Sequence, residues 1–492
     1  MNMKILIDTN VFIPLEPAGT ARIHPGTSQA TELARVVAEA KSQLYVHPAA
    51  REDIRRDRDL DRRSLRETML RKYLCLPDPP PISAQIEAAA GPAQPGTNDW
   101  VDHCLLAALK ADAVDFLVTE DHGLRRKAVR LGLGDRVASI AEAISIVRDL
   151  FDTTPPPPPA VRSVKAHVLG QSDPIFDSLR TDYAGFDVWL AKCKREHRQA
   201  WIVDVVGAGS LAGVCIVKPE DSVPFLPPGK ALKICTLKVS ENHNGFRFGE
   251  LLLKAVFTYA DENRYDWLYV TVLDHHSALI GFLEEFGFGD TGTRTERGEL
   301  CFAKPMTFTE AERDRLDALR FNVRFGPFAA NLRSAPTFVV PIQPRYHSVL
   351  FPEAERQPEL FAGLHPCGNS IRKAYLSLGP IRTITPGANL LFYRSEDKKH
   401  ISVTGVVEAT CVSSSPDEIA RFVGKRTVYS FAKIAQLCRR DVLAILFRQS
   451  RSVRNPMSLA ELIERGVLSA APQSIATLPE EVKPWLQARV QG

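Results

Sequence analysis

The 492-residue chain carries a net charge of +4, with 45% hydrophobic and 24% charged residues, an ordinary balance for soluble globular proteins. It is too long for one core, so about three domains are expected. No apolar run approaches the roughly 20 residues of a membrane helix, and nine cysteines without a C-x-x-C pair exclude a zinc ribbon or disulfide framework and favour a reducing compartment. The short Ile5–Ile7 run followed by an aspartate is not laid out as a signal peptide, so a cytoplasmic location without membrane contact is expected.

The chain opens Lys4-Ile5-Leu6-Ile7-Asp8-Thr9-Asn10. This reads as a buried parallel strand delivering a carboxylate to its C-terminal edge, where ligand sites of open α/β sheets form. Asp102 stands near the start of an apolar helix, and Asp121 follows the strand Asp115-Phe116-Leu117-Val118-Thr119. One aspartate after a strand is ordinarily a helix cap. Three of them at element ends in one domain make an oxygen-ligand set suited to Mg²⁺ or Mn²⁺.

The strings Ile5–Asn10, Asn98–Ala108 and Leu117–Asp121 resemble the PIN-domain nucleases. The resemblance implies a doubly wound parallel sheet over 1–152 and a metal-dependent ribonuclease. Asp8, Asp53, Asp102 and Asp121 match the metal-binding acids, with Glu52 an alternative to Asp53 and Asp99 a helper one turn before Asp102. Asn10 and Thr119 match positions that orient the acids. Metal-activated water would attack a phosphodiester. The arginine-rich stretch from Arg51 to Lys72 reads as a solvated helix face with i,i+4 pairs, or as a hold on an RNA backbone if it lies beside the acids.

Five consecutive prolines, Pro155 to Pro159, favour a stiff polyproline II spacer and mark a linker over 153–160. The next stretch, 161–306, alternates strands and helices. Its strand Leu232–Val239 leads through Ser240-Glu241-Asn242-His243-Asn244-Gly245-Phe246-Arg247-Phe248-Gly249 into a helix from Glu250. A strand, a glycine-bearing loop and a helix N-terminus make a phosphate cradle.

With Trp267–Val272 and Ala278–Phe288, this resembles the GNAT acetyltransferases, which implies an α+β domain using acetyl-CoA. The implied cofactor positions are Leu237 and Val239 in the strand and Asn244, Gly245, Arg247, Phe248 and Gly249 in the loop. Arg247 stands where the family has its first glycine, and Leu283 where a tyrosine often serves as general acid. A base is needed to deprotonate an amine; Glu241, His243, His275 and His276 are candidates.

A helix from Glu310 to Leu319 and breakers at Phe325-Gly326-Pro327 and Ser334-Ala335-Pro336 place a helix-and-linker segment over 307–340. Residues 330–492 hold 21 basic against 13 acidic residues, a balance of +8, which favours a polyanion partner. Strands are expected at Leu390–Tyr393, His400–Ala409 and Val442–Phe447, and Gly368–Tyr375 reads as the start of a basic helix. The layout over 341–492 is similar to the PUA-like barrels, the ASCH and EVE groups in particular, which implies an RNA-binding β-barrel. Asn369, Arg372, Lys373, Tyr393, Arg394, Arg426 and Tyr429 are the candidate RNA contacts.

The assembled expectation is an α/β multidomain ribonuclease with an acetyl-CoA-binding domain and an RNA reader. The alternative is an N-acetyltransferase acting on RNA or protein, with the outer domains binding substrate. A third reading is a toxin-like stress regulator with an antitoxin or other protein partner.

Overall fold

In the computed structural model, residues 3–16, 27–150, 160–204, 210–240, 247–333, 335–354, 366–429 and 431–491 are described. The proline run and residues 241–246 lie outside them. The chain divides into two compact units: 1–154 with 415–425 and 429–436, and the remainder.

The first unit begins with β1 (Lys4–Ile7), α1 (Thr9–Leu15), α2 (Thr27–Glu39), β2 (Gln43–Val46), α3 (Ala50–Arg55), α4 (Leu60–Leu70) and β3 (Leu74–Cys75). It continues with α5 (Ala84–Ala90), α6 (Asn98–Lys110), β4 (Phe116–Val118), α7 (His122–Arg130), β5 (Val137–Ala138) and α8 (Ile140–Leu150). The strands pair in the order β3-β2-β1-β4-β5, each pair parallel. Ile5, Leu6, Ile7, Phe116, Leu117 and Val118 are all buried, because helical crossovers cover both faces of such a sheet. Leu6 and Leu117 pack with Val101, Leu105, Leu109 and Leu124 of α6 and α7. Strand order reverses between β1 and β4, so Asp8 and Thr119 follow the two strands that flank the switch point, where open α/β sheets form their crevice.

The second unit starts with β6 (Ala160–Lys165), α9 (Asp177–Asp182), α10 (Phe186–Arg195), β7 (Gln199–Asp204), β8 (Gly213–Glu220) and β9 (Ala231–Val239). Then come α11 (Phe248–Glu262), β10 (Trp267–Val272), α12 (Ser277–Glu285), β11 (Gly289–Arg294) and β12 (Leu300–Pro305). Its seven strands run β11-β12-β10-β9-β8-β7-β6, antiparallel except for the parallel β9/β10 pair. The face of α11 bearing Phe248, Leu252, Leu253, Val256, Phe257 and Ala260 is buried in the core with Trp201, Leu232, Ile234 and Leu268.

The expected helix over 310–319 is instead two, α13 (Glu310–Arg315) and α14 (Ala318–Phe325). Thr309 with Glu312 forms a capping box on the first, and Asp317 caps the second through the Arg320 N–H. There follow β13 (Thr337–Ile342), α15 (Pro344–Leu350), α16 (Pro366–Asn369), β14 (Arg372–Ser377), β15 (Asn389–Arg394) and β16 (His400–Ser413). After α17 (Pro416–Val423) and α18 (Phe431–Leu437) come β17 (Val442–Ser458), α19 (Leu459–Glu464), β18 (Ala476–Thr477) and α20 (Lys483–Gln491).

Two expectations are corrected here. The basic helix expected over 368–375 stops at Asn369, because Arg372–Ser377 alternates as a strand and pairs antiparallel with β17. The expected barrel is a six-stranded mixed sheet, β14-β17-β16-β15-β13-β18, with no pairing between its end strands among the described residues. The candidate RNA contacts Lys373 and Tyr393 are in its interior, at 0% and 1% exposure, which removes them from any stacking or phosphate-binding surface.

Lys304 of β12 is fully buried and donates to the carbonyls of Val323 and Arg324 at 2.9 and 2.8 Å, satisfying the C-terminal end of α14. Gly287, at φ +84°, makes this approach possible: a Cβ there would sit 1.9 Å from Val323 O and 2.8 Å from Lys304 Nζ. Gly287→Ala is expected to destabilise the second unit by about 2–5 kcal/mol, strain and overpacking combined. Urea denaturation measures it; an unchanged midpoint would contradict this packing.

Candidate functional sites

Two sites form at strand ends. In the first unit Asp8 caps α1, accepting from the Thr9 N–H at 2.6 Å. The Thr119 hydroxyl and the Asn10 amide each donate to Asp8 Oδ2 at 2.7 Å. Asn10 Nδ2 also reaches Thr119 Oγ1 at 3.0 Å, and the Thr9 hydroxyl donates to Asp53 Oδ2 at 2.8 Å. Asp121 caps α7 through the Gly123 and Leu124 N–H groups. Asp53, rather than Glu52, takes the position beside Thr9; Glu52 pairs with Arg55.

Burial pushes the Asp8 carboxyl up to about 7, with Asp102 and Asp53 adding repulsion against the lowering hydrogen bonds. Burial also raises Asp53 and Asp102, and Asp121 adds to the latter. The folded value of Asp8 lies above the unfolded one, so its contribution to stability is present below about 4 and lost as pH rises through about 7. Lys127 of α7 bonds both Asp102, at 2.8 Å, and Asp99. Sequence reading missed this lysine, which sits in the basic run Arg125-Arg126-Lys127 with nothing to single it out. The carboxylate donor set suits a hard divalent cation. Four of the eight arginines of the 51–72 stretch pair with acids of the same stretch: Arg55 with Glu67, Arg56 with Asp53, Arg62 and Arg66 with Asp57.

In the second unit the site begins with a β-bulge. On β8, Ile216 faces Thr236 and Val217 faces Ile234, leaving Cys235 as the extra residue of β9. On its other edge the ladder with β10 runs from Ala231/Trp267 to Ile234/Val270 and stops, although β9 continues to Val239. A bulge bends its strand and raises the local twist, so the two parallel strands part there. The β9 edge carrying Leu237 and Val239 is left without a strand partner among the described residues. The parting opens toward the N-terminus of α11, whose cap residue Arg247 is left-handed (φ 58°) and supplies no side-chain capping bond.

Of the cofactor positions expected from sequence, Leu237, Val239, Phe248 and Gly249 lie along this opening or at the helix start; Asn244 and Gly245 fall outside the described residues, as do the base candidates Glu241 and His243. Phe248 is buried in the core. Arg247 points its side chain into the protein and pairs with Glu250, both nearly fully buried. Glu250 accepts from the Ser370 hydroxyl at 2.8 Å and the Ile371 N–H at 2.7 Å. Burial opposes its ionisation, yet Arg247, the Ile371 amide and Ser370 outweigh that and hold it near 2. Leu283 is fully buried in the core.

The remaining RNA candidates are largely engaged within the protein. Arg372 bonds Glu408 at 2.8 Å and pairs with Glu285. Arg394 forks onto Asp397, and Arg426 is buried near Glu408. Asn369 and Tyr429 are half-buried.

Residues 169–288 match the family model described as the acetyltransferase (GNAT) family. No curated protein matches the chain. Among solved structures, the S128A mutant of the ASCH protein from Zymomonas mobilis is 15% identical, over 31% of this chain and 95% of that one, with a TM-score of 0.25. A GNAT-family acetyltransferase, described as putative, from Desulfovibrio desulfuricans is 12% identical over 30% and 99%, TM-score 0.25. An N-acetyltransferase from Staphylococcus aureus Mu50 is 15% identical over 30% and 99%, TM-score 0.25. By the family-model match the chain contains a GNAT acetyltransferase domain at 169–288, and no described helix is long and apolar enough to cross a membrane.

The folded value of Glu250 is depressed, so its contribution is present above its unfolded value of about 4.5 and lost as pH falls toward 2, about 3 kcal/mol in all. Glu250→Gln is therefore expected to lower stability at pH 7 and to flatten the acid limb of a stability-versus-pH curve between pH 5 and 2. Denaturation midpoints at pH 7, 5 and 3 report it, and parallel curves for the two proteins would refute the assignment.

Proposed function

We propose that the protein is an acetyl-CoA-dependent N-acetyltransferase, its acceptor an amine on RNA or protein. The observation that carries this is the parting of β9 from β10 beside a helix N-terminus, inside the segment that matches the GNAT family model. The unpaired β9 edge at Leu237 and Val239 would hold the amide-bearing arm of the cofactor as an added strand. The backbone N–H groups of the first turn of α11, at Phe248 and Gly249, would face its pyrophosphate. The neutral amine nitrogen attacks the thioester carbonyl, the C–S bond breaks, the thiolate leaves, and the proton lost from nitrogen passes through solvent to the thiolate. A thiolate is a far better leaving group than an alkoxide and needs little protonation, so Leu283 in the place of a tyrosine is compatible with turnover. The arginine at 247 contributes its backbone to the helix start, while its charge is spent on Glu250.

Calorimetry with acetyl-CoA is expected to show one equivalent bound in the micromolar range; no binding at millimolar cofactor would overturn the reading. Gly249→Asp is the informative variant. Its Cβ would meet Phe282 at 3.5 Å, an ordinary contact, and a carboxylate in the first helical turn suits the helix dipole while repelling a pyrophosphate. It should fold and weaken acetyl-CoA at least about tenfold.

A second reading, metal-dependent RNA cleavage, is favoured by one observation: at a sheet switch point Asp102 and Asp53 raise the proton affinity of Asp8, and Asp121 raises that of Asp102. These acids would hold Mg²⁺ or Mn²⁺, which would supply activated water. Asn10 and Thr119 would fix Asp8. Asp8→Asn should abolish Mn²⁺-dependent cleavage of RNA; cleavage that persists at the same rate in this variant would remove the assignment.

A further inference from the structure

Beside the parted strands, three metal-ligating side chains meet that the acetyl-transfer geometry does not require. His275 and His276 stand between β10 and α12, and Asp182 is the last residue of α9. One ligand atom from each lies within 4.8 Å of the other two, the one such set of three among the described residues. His276 Nε2 is 3.4 Å from Asp182 Oδ2, and the two imidazole rings are 4.3 Å apart, tilted by 46°.

The 3.4 Å separation discriminates between two uses. It is long for an N–H···O hydrogen bond, which prefers about 2.9 Å. It matches the edge, about 3.3–3.4 Å, of a tetrahedron whose centre lies roughly 2.0–2.1 Å from nitrogen and oxygen ligands. Two imidazoles and one carboxylate are a borderline-soft set, suited to zinc and poorly suited to Mg²⁺ or Ca²⁺, which take oxygens. Asp182 and His275 are exposed and His276 half-buried, so the ion has a path in and a fourth position open to water.

We propose that Asp182, His275 and His276 bind one Zn²⁺ ion at the mouth of the acetyl-transfer cleft. The site stands on its own ligands: it joins α9 to the turn after β10 and needs neither acetyl-CoA nor the amine acceptor. Zinc there takes His275 and His276 out of the set of candidate bases.

The full chain, stripped with a chelator, is titrated with ZnCl₂ in competition with a chromophoric chelator. One equivalent should bind with a dissociation constant of about 10⁻⁶ M or tighter. His275→Ala, His276→Ala and Asp182→Asn should each weaken it at least about tenfold. X-ray absorption of the loaded protein should show nitrogen and oxygen ligands near 2.0–2.1 Å and no sulfur. Absence of stoichiometric binding overturns the proposal, as does affinity unchanged in the His276→Ala protein. Sulfur in the coordination shell also overturns it, because it moves the ion to one of the nine cysteines. Acetyl-CoA calorimetry on the zinc-free chain decides the acetyl-transfer reading separately.

Discussion

A parallel pair of strands buried in a mixed sheet has to stay paired to satisfy its backbone, and in the second unit it does so only as far as Ile234 and Val270. The extra residue at Cys235 ends the agreement. It turns β9 toward β8, leaves the other edge of Leu237–Val239 unpaired, and opens a wedge in front of α11. Unpaired polar backbone on that scale costs free energy unless something bonds to it. The wedge is therefore a stretch of β9 edge whose backbone groups are open to a hydrogen-bonding partner.

The charge network behind α11 sets which groups face that wedge. Glu250 draws Arg247 inward and bonds the Ser370 and Ile371 groups at the start of β14. Arg372 and Arg448 meet at Glu408, at 2.8 and 3.0 Å, and Arg448 also reaches the Glu285 carbonyl at 2.8 Å. The acetyltransferase-family domain and the six-stranded sheet are thereby one unit rather than two beads. Breaking one partner of such a buried pair typically costs about 3–5 kcal/mol, since the other charge is left uncompensated. The same network accounts for cations that, in sequence, looked available to a polyanion: they are neutralised inside the protein.

In the first unit the governing effect is the burial of a carboxylate. Asp8 accepts from Thr9, Asn10 and Thr119, yet its carboxyl is raised because loss of hydration outweighs those bonds, with Asp102 and Asp53 adding repulsion. Above neutral pH that arrangement opposes folding unless a cation offsets it. Lys127 does so for Asp102 and Asp99, while Asp53 has Arg56 and Asp8 has, among the described residues, neutral donors.

Local pattern was enough for a good deal. Apolar runs located β1, β4 and β10, because side-chain burial in parallel strands writes itself into consecutive residues. The Asp8-Thr9-Asn10 and Thr119-Glu120-Asp121 strings announced that their side chains would meet, since parallel neighbours end at one edge. Tertiary structure alone decided the rest. Arg247 read as a cofactor contact, but its partner Glu250 and the Ser370 and Ile371 groups that hold Glu250 come from elements over a hundred residues apart. Lys373 and Tyr393 stood among the candidate RNA contacts, with Tyr393 equally at home in a core, until β14 and β15 entered one sheet and closed over them. Asp182 had no signal at all until α9 came against the turn holding His276. Periodicity records which face of an element is buried; it carries no information about which distant charge will share that burial, and that pairing determines whether an ionisable side chain serves a ligand or the fold.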